Sequence, residues 1–147
     1  DMGCGWGNNL KFLKDKGFSG VGVDISKTAI QHCKSSGYKA HVCDFSELTF
    51  NDDSFDVILD RQAIQHNTIE NMEKTINEVK RVLKKGGSFF STMISEADYD
   101  IDTTYITEKG ARKLLSDFKI ISFDKQSRTY DNQKIKHSLL IIHVQKI

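Results

Sequence analysis

The chain has 147 residues, with 21 Lys and Arg against 20 Asp and Glu and a formal net charge of +1, which argues against a large electrostatic footprint for nucleic acid but leaves a local patch open. Hydrophobic residues make up 38% and charged residues 28%, an ordinary globular balance, and no apolar run approaches the roughly 20 residues of a membrane span. Three cysteines without metal-like clustering suit a reducing cytosol better than a disulfide framework, nothing resembles a signal peptide, and the expected location is cytoplasmic.

The length fits one domain over residues 1–147. It opens with Asp1-Met2-Gly3-Cys4-Gly5-Trp6-Gly7, three glycines at alternate positions led by an aspartate. That pattern describes a strand end turning sharply into a helix: glycine admits φ > 0 and lets a ligand lie against bare backbone. The helix predicted over Asn8–Lys16 offers unpaired N–H groups at its start, a site for polar or anionic ligand groups. Gly17 closes that helix, and Gly20–Asp24 is a short buried strand. Ser26 caps a second helix running through Ala29, Ile30 and Cys33 to Gly37. Lys39–Cys43 is strand-like, Asn51-Asp52-Asp53-Ser54 is a turn by composition, and Phe55–Leu59 is an apolar strand ending at Asp60.

Thr68 caps the longest helix, in which Met72, Ile76, Val79 and Leu83 keep the helical period until Gly86-Gly87. Ser88–Met93 is a further strand, and Thr107 caps a helix through Ala111, Leu114 and Leu115. Phe118–Thr129 and Ile135–Val144 are extended runs separated by Tyr130-Asp131-Asn132-Gln133, a hairpin pattern. Strands alternating with helices predict an α/β fold: a doubly wound, mostly parallel sheet in three α/β/α layers, closed by a C-terminal antiparallel hairpin.

The glycine spacing separates two cofactor classes. Nicotinamide dehydrogenases usually carry G-x-G-x-x-G with an acid about 20 residues on. Here the order is D-x-G-x-G-x-G, with Asn8 where that pattern requires glycine. Asp24 supplies an acid after Val21-Gly22-Val23, and Asp44 a second after His41-Val42-Cys43. With these acids, the strand Phe55–Asp60 and the segment Arg81-Val82-Leu83-Lys84-Lys85-Gly86-Gly87, the sequence resembles the class I S-adenosylmethionine-dependent methyltransferases over nearly its whole length. The resemblance implies S-adenosylmethionine as cofactor and a sheet order of 3-2-1-4-5-7-6 with strand 7 antiparallel. It also implies that Asp1, Gly3 and Gly5, with Cys4 between them, line the methionine part of the cofactor. Asp24, beside Ile25, accepts from the ribose hydroxyls, and Asp44, beside Phe45, meets the adenine amine. A carboxylate is an acceptor-only group, which suits a diol or an exocyclic amine.

The expected reaction is methyl transfer to a small polar molecule, at oxygen. A hydroxyl acceptor needs its proton removed by a group within hydrogen-bond reach. The candidates follow Phe55–Leu59: Asp60, which also borders the cofactor, then Arg61, Gln62 and above all His66. His137 approaches from the far side, His143 reads as structural, and Tyr99 and Tyr105 are acceptor-side candidates. Lys80, Arg81, Lys84 and Lys85 make a basic cluster that reads better as a solvated helix end than as a nucleic-acid patch. There is no proline, hence no Asn-Pro-Pro-Tyr-like motif of the kind that serves exocyclic base nitrogens, and Lys84-Lys85-Gly86-Gly87 stands where the family commonly has Lys-Pro-Gly-Gly. No acid-rich metal site is recognisable, so none is expected. The partner is a small-molecule acceptor, with neither membrane nor nucleic acid expected. Two alternatives remain: a non-catalytic cofactor-binding subunit and a nicotinamide-dependent dehydrogenase. The apolar strand that should deliver the glycine loop is not in the sequence, so a first strand and helices are expected upstream.

Overall fold

The structure, a computed structural model, describes residues 1–97, 103–130 and 135–147. The described residues form four α-helices and six strands. They are α1 (Asn8–Asp15), β1 (Val21–Asp24), α2 (Lys27–Ser35), β2 (Lys39–Val42), β3 (Phe55–Arg61), α3 (Ile69–Val82), β4 (Leu83–Ala97), α4 (Glu108–Leu114), β5 (Phe118–Tyr130) and β6 (Ile135–Lys146). Single 3-10 turns follow β2 at Phe45–Glu47 and β3 at Ile64–His66.

The helices start where short polar side chains satisfy the first free N–H groups. Ser26 Oγ accepts from Ala29 N, Thr68 Oγ1 from Asn71 N and Thr107 Oγ1 from Gly110 N, as the sequence predicts. The longest helix ends earlier than Gly86-Gly87 would place it. Chain extension begins at Leu83, which pairs with Phe55, and the ladder resumes only at Val57 and Ser88. The carbonyls at that end find partners elsewhere: Asp53 N and Ser54 N donate to Arg81 and Val82, and Lys146 Nζ and Gln145 Nε2 to Leu83 and Gly86. Tertiary bonding therefore replaces the glycine cap that composition suggests.

β1 and β2 pair in parallel, as do β3 and β4; β4–β6 and β6–β5 are antiparallel. The two hydrogen-bonded groups are β1-β2 and β3-β4-β6-β5. Between them lies Met2, bridged in parallel to Val23 on one side and to Asp60 on the other. The order is then β2, β1, the Met2 segment, β3, β4, β6, β5, a mixed α/β sheet with C-terminal antiparallel strands that agrees with the implied arrangement. Residues 131–134, over most of which the sequence predicts the hairpin's turn (Tyr130–Gln133), and Tyr99 lie outside the described residues.

The larger core gathers Val23 and Met2 with Ile58, Phe89, Leu140 and Ile142 under α3 and α4. A smaller one holds Cys4, Leu10, Ile30, Cys33 and Ala40 between α1, α2 and the first strands. The basic residues at the end of α3 and the start of β4 are tied down by acids. Arg81 bonds Glu78, Asp52 and the carbonyls of Leu48 and Phe50, while Lys80 pairs with Asp117 and Lys84 with Asp56. Among the described residues no helix is long and apolar enough to cross a membrane.

Asp1 N donates to Val21 O at 2.9 Å, tying the first residue of the glycine loop to β1.

Candidate active site

The candidate residues gather at the carboxyl ends of the parallel strands. Gly3, Gly5 and Gly7 all have positive φ (65°, 48° and 84°), so the loop turns at each. Gly3 also has no room for a side chain: a Cβ there would lie 2.3 Å from the Cβ of Ala63 and 3.5 Å from the ring of Phe45. The glycine loop is pressed between the turn after β2 and the turn after β3.

Three carboxylates surround this loop. Asp24 spans it, accepting from Gly5 N through Oδ2 and from Ser26 N through Oδ1, both at 2.9 Å. Four lone-pair sites per carboxylate leave acceptor capacity after these bonds. Asp44 uses Oδ1 for both Ser46 N and Ser46 Oγ at 2.8 Å, capping the turn that carries Phe45, and is itself exposed. Asp1 accepts from Asn9 Nδ2 through Oδ1 at 2.9 Å. Its Oδ2 is buried with no hydrogen-bond partner. A buried orphan acceptor costs about 1–3 kcal/mol, and a ligand amine or ammonium would satisfy it. Ile25 stands exposed beside Asp24, an apolar face at the loop's rim.

Asp60 differs from these acids. It is buried, and both oxygens serve the protein: Oδ1 accepts from Ala63 N at 2.9 Å and Ile64 N at 3.1 Å, and Oδ2 from Ser91 Oγ at 2.6 Å. Burial raises its pKa, while the Ser91 hydroxyl, the two backbone donors and nearby His66 pull the other way. Asp60 thereby holds the turn that sets Ala63 against Gly3 and exposes His66. In the same turn Gln62 has φ 62°, a left-handed conformation for a non-glycine residue, fixed by its N–H donating to Thr92 O. Arg61 is exposed at the strand's end.

Gln65 anchors the turn from inside, its Oε1 accepting from Ile94 N at 2.6 Å, and its carbonyl accepts from Thr104 N. His137 lies on β6 opposite Ala97 and Arg128, whereas His143 stacks on Phe90 at 4.1 Å and bonds Ser88 Oγ. Tyr105 is partly exposed, after the segment clamped to the Gln65 turn. Cys4 and Cys33 lie together under Gly5 O; burial, with Cys33 beside it, pushes the Cys4 thiol up to about 12, leaving an uncharged packing group. Among the described residues, no group of three or more His, Cys, Asp or Glu is placed to hold a metal ion.

Ala63, Ser91 and Asn9 had no place in the sequence reading. Asn9 was findable, as a polar residue in the first turn after a glycine loop. Ala63 and Ser91 act through contacts that no local pattern signals.

A family described as a methyltransferase domain matches residues 1–91. The chain belongs to this family, the S-adenosylmethionine-dependent methyltransferases of class I fold, and its cofactor is S-adenosylmethionine. It is 27% identical over 144 residues to the 2-heptyl-1-hydroxyquinolin-4(1H)-one methyltransferase of Mycobacteroides abscessus, covering 90% of this chain and 63% of that protein. It is 34% identical over 88 residues to the tRNA (carboxymethyluridine(34)-5-O)-methyltransferase alkbh8 of Xenopus tropicalis, covering 59% of this chain and 14% of that one. The solved structure of an S-adenosylmethionine-dependent methyltransferase from Methanosarcina mazei shares the fold, with a TM-score of 0.88 at 22% identity, covering 100% of this chain and 91% of that one. The chain spans 56% and 63% of the length of two curated relatives that it matches over more than four fifths of its own.

The glycine loop and Asp60 give a paired prediction. Gly3→Ala should abolish donor binding in calorimetry, because the methyl group meets Ala63 at a strained φ. Asp60→Ala should lower stability by about 2–4 kcal/mol in denaturant melts, since two backbone N–H groups lose their acceptor. Asp60→Asn, which keeps an acceptor for them, should lower it less.

Proposed function

We propose that the protein transfers a methyl group from S-adenosylmethionine to a small polar molecule, at oxygen, within a single domain over residues 1–147. The observation that carries the donor side is the buried, partnerless Oδ2 of Asp1 beside a loop whose Gly3 has no room for a side chain. Asp1 and the Gly3–Gly5 backbone, with Cys4 packed beneath, would hold the methionine part. Asp24 and Ile25 would hold the ribose, and Asp44 and Phe45 the adenine. Asp60 borders this site from below.

When bound, the sulfonium cofactor supplies an activated methyl group, so in-line positioning accounts for most of the rate. The chain's own task is to orient the acceptor and take its proton. His66 is the residue we assign as base: it is exposed at the carboxyl end of β3, on the turn that Asp60 holds against the glycine loop. Asp60 would act as a positioning residue, its oxygens already accepting from Ala63, Ile64 and Ser91.

The small-molecule acceptor is supported by the quinolone methyltransferase relative, which aligns over most of the chain. An RNA acceptor has the tRNA relative in its favour, but that alignment covers 59% of the chain. Three of the cations where α3 passes into β4, Lys80, Arg81 and Lys84, are already paired with acids.

His66→Ala should lower turnover at least tenfold on a hydroxyl acceptor found by screening, with donor affinity unchanged. The pH–rate profile of the variant should lose the acid limb that a general base gives the wild type. Asp24→Ala should weaken donor binding about tenfold or more, measured by calorimetry with S-adenosylhomocysteine. Undiminished turnover in His66→Ala would refute the base, and methylation of bulk tRNA but no small hydroxyl compound would refute the acceptor class.

A further inference from the structure

The register at the end of β3 sorts its side chains between the two faces of the sheet. Asp60 stands opposite Ser91 and accepts from its hydroxyl at 2.6 Å. Phe89 and Met93, in phase with Ser91, pack into the core under α3, so the Asp60–Ser91 pair lies on that face. Successive strand side chains point to opposite faces, and the next pair, Arg61 and Thr92, therefore stands on the other one. Met2 is bridged to Asp60, which brings Gly3 beside Arg61 as the glycine loop leaves the sheet. On its far side Thr92 stands opposite Ile141 of β6. One row thus crosses the sheet from the glycine loop through Arg61 and Thr92 to Ile141.

Two members of this row have unused bonding capacity. Arg61 is exposed, and among the described residues no hydrogen bond or ion pair holds its guanidinium, whereas Arg81 and Arg112 are each paired with a glutamate. Thr92 Oγ1 is buried and has no partner. A buried polar atom left unpaired is destabilising, so an orphan hydroxyl next to an unpaired guanidinium calls for an acceptor from outside the chain. The planar arginine fork matches a carboxylate with two parallel bonds, and the threonine hydroxyl adds a third donor. Charge selects among anions. The strand ends already carry Asp1, Asp24 and Asp44, which one guanidinium offsets for a monoanion but not for a phosphate dianion.

We propose that Arg61 and Thr92 hold a carboxylate of the methyl acceptor, so that its substrates are small hydroxy acids and not neutral hydroxyl compounds. This rests on the small-molecule reading of the acceptor given above. Phe90, in phase with Thr92 and 39% exposed, and Ile141 offer an apolar floor for the body of such a molecule. Arg61 acts here as a specificity-determining residue that selects and orients the acceptor, while proton removal stays with His66. The carboxylate of the donor itself is the competing occupant.

The test titrates the 147-residue chain, with and without S-adenosylhomocysteine, with lactate, salicylate and 4-hydroxybenzoate, each against its neutral amide. Calorimetry gives affinities, and the Arg61 Nε resonance, identified by its loss in Arg61→Lys, reports contact. At least one acid should bind about tenfold or more tighter than its amide and shift that resonance. Arg61→Gln should erase the difference, with affinity for S-adenosylhomocysteine unchanged. Thr92→Val should narrow it about fivefold, and Thr92→Ser, which keeps the hydroxyl, should restore it. Equal binding of acids and amides throughout the set would overturn the proposal. A matching loss of S-adenosylhomocysteine affinity in Arg61→Gln would overturn it too, by giving Arg61 to the donor. So would a short single-stranded RNA that moves the resonance at lower concentration than any acid. None of these readouts involves methyl transfer, so the role of His66 as base can fail or stand separately.

Discussion

The structure depends on one short segment that hydrogen-bonds in two directions: Asp1 O and Cys4 N bond Val23 in β1, while Met2 N bonds Leu59 in β3. Asp1 and Met2 join β1 to β3, and in the described sheet no strand-to-strand ladder crosses that seam. The glycine loop grows directly from this bridge, so its place over the strand ends is inherited from the sheet and not from the loop's own sequence. Gly3 is then fixed from two sides, by Phe45 after β2 and Ala63 after β3. The site exists because two independently hydrogen-bonded strand groups are held at one spacing.

The acids at the strand ends have separate tasks. Asp24 and Asp44 stabilise turns with part of their acceptor capacity and face outward; Asp1 keeps one buried oxygen without a partner. Asp60 is spent wholly on protein donors. A carboxylate buried among a serine hydroxyl and two amides is a structural pin, and the exposed histidine one turn away owes its position to it.

Much of this was legible in the sequence. The caps Ser26, Thr68 and Thr107 fall where short polar residues precede apolar periodicity, because capping is a local bond between neighbours. The strand order followed from alternating elements and from the family resemblance that the glycine spacing and acids carried. The end of α3 was not legible, since Gly86-Gly87 has the chemistry of a helix stop while Leu83 is drawn out by pairing with Phe55 and by Lys146, a residue 63 positions away. The inward commitment of both Asp60 oxygens was hidden for the same reason: Ser91 comes from the next strand, and sequence spacing carries no record of that contact. Ala63 is the same case, a small residue whose importance lies in the glycine opposite.

Because the glycine loop lies across the seam of the sheet, a ligand seated on it would share its contacts with those that hold the fold together. Asp24 and Asp44 belong to the β1–β2 group and Ala63 to the β3 group, so a molecule touching both acts as a clasp between them. A ligand that binds only the folded state adds about 2.7 kcal/mol of stability at one hundred times its dissociation constant. In such an arrangement the concentration of a ligand held there would set how much of the chain stays folded.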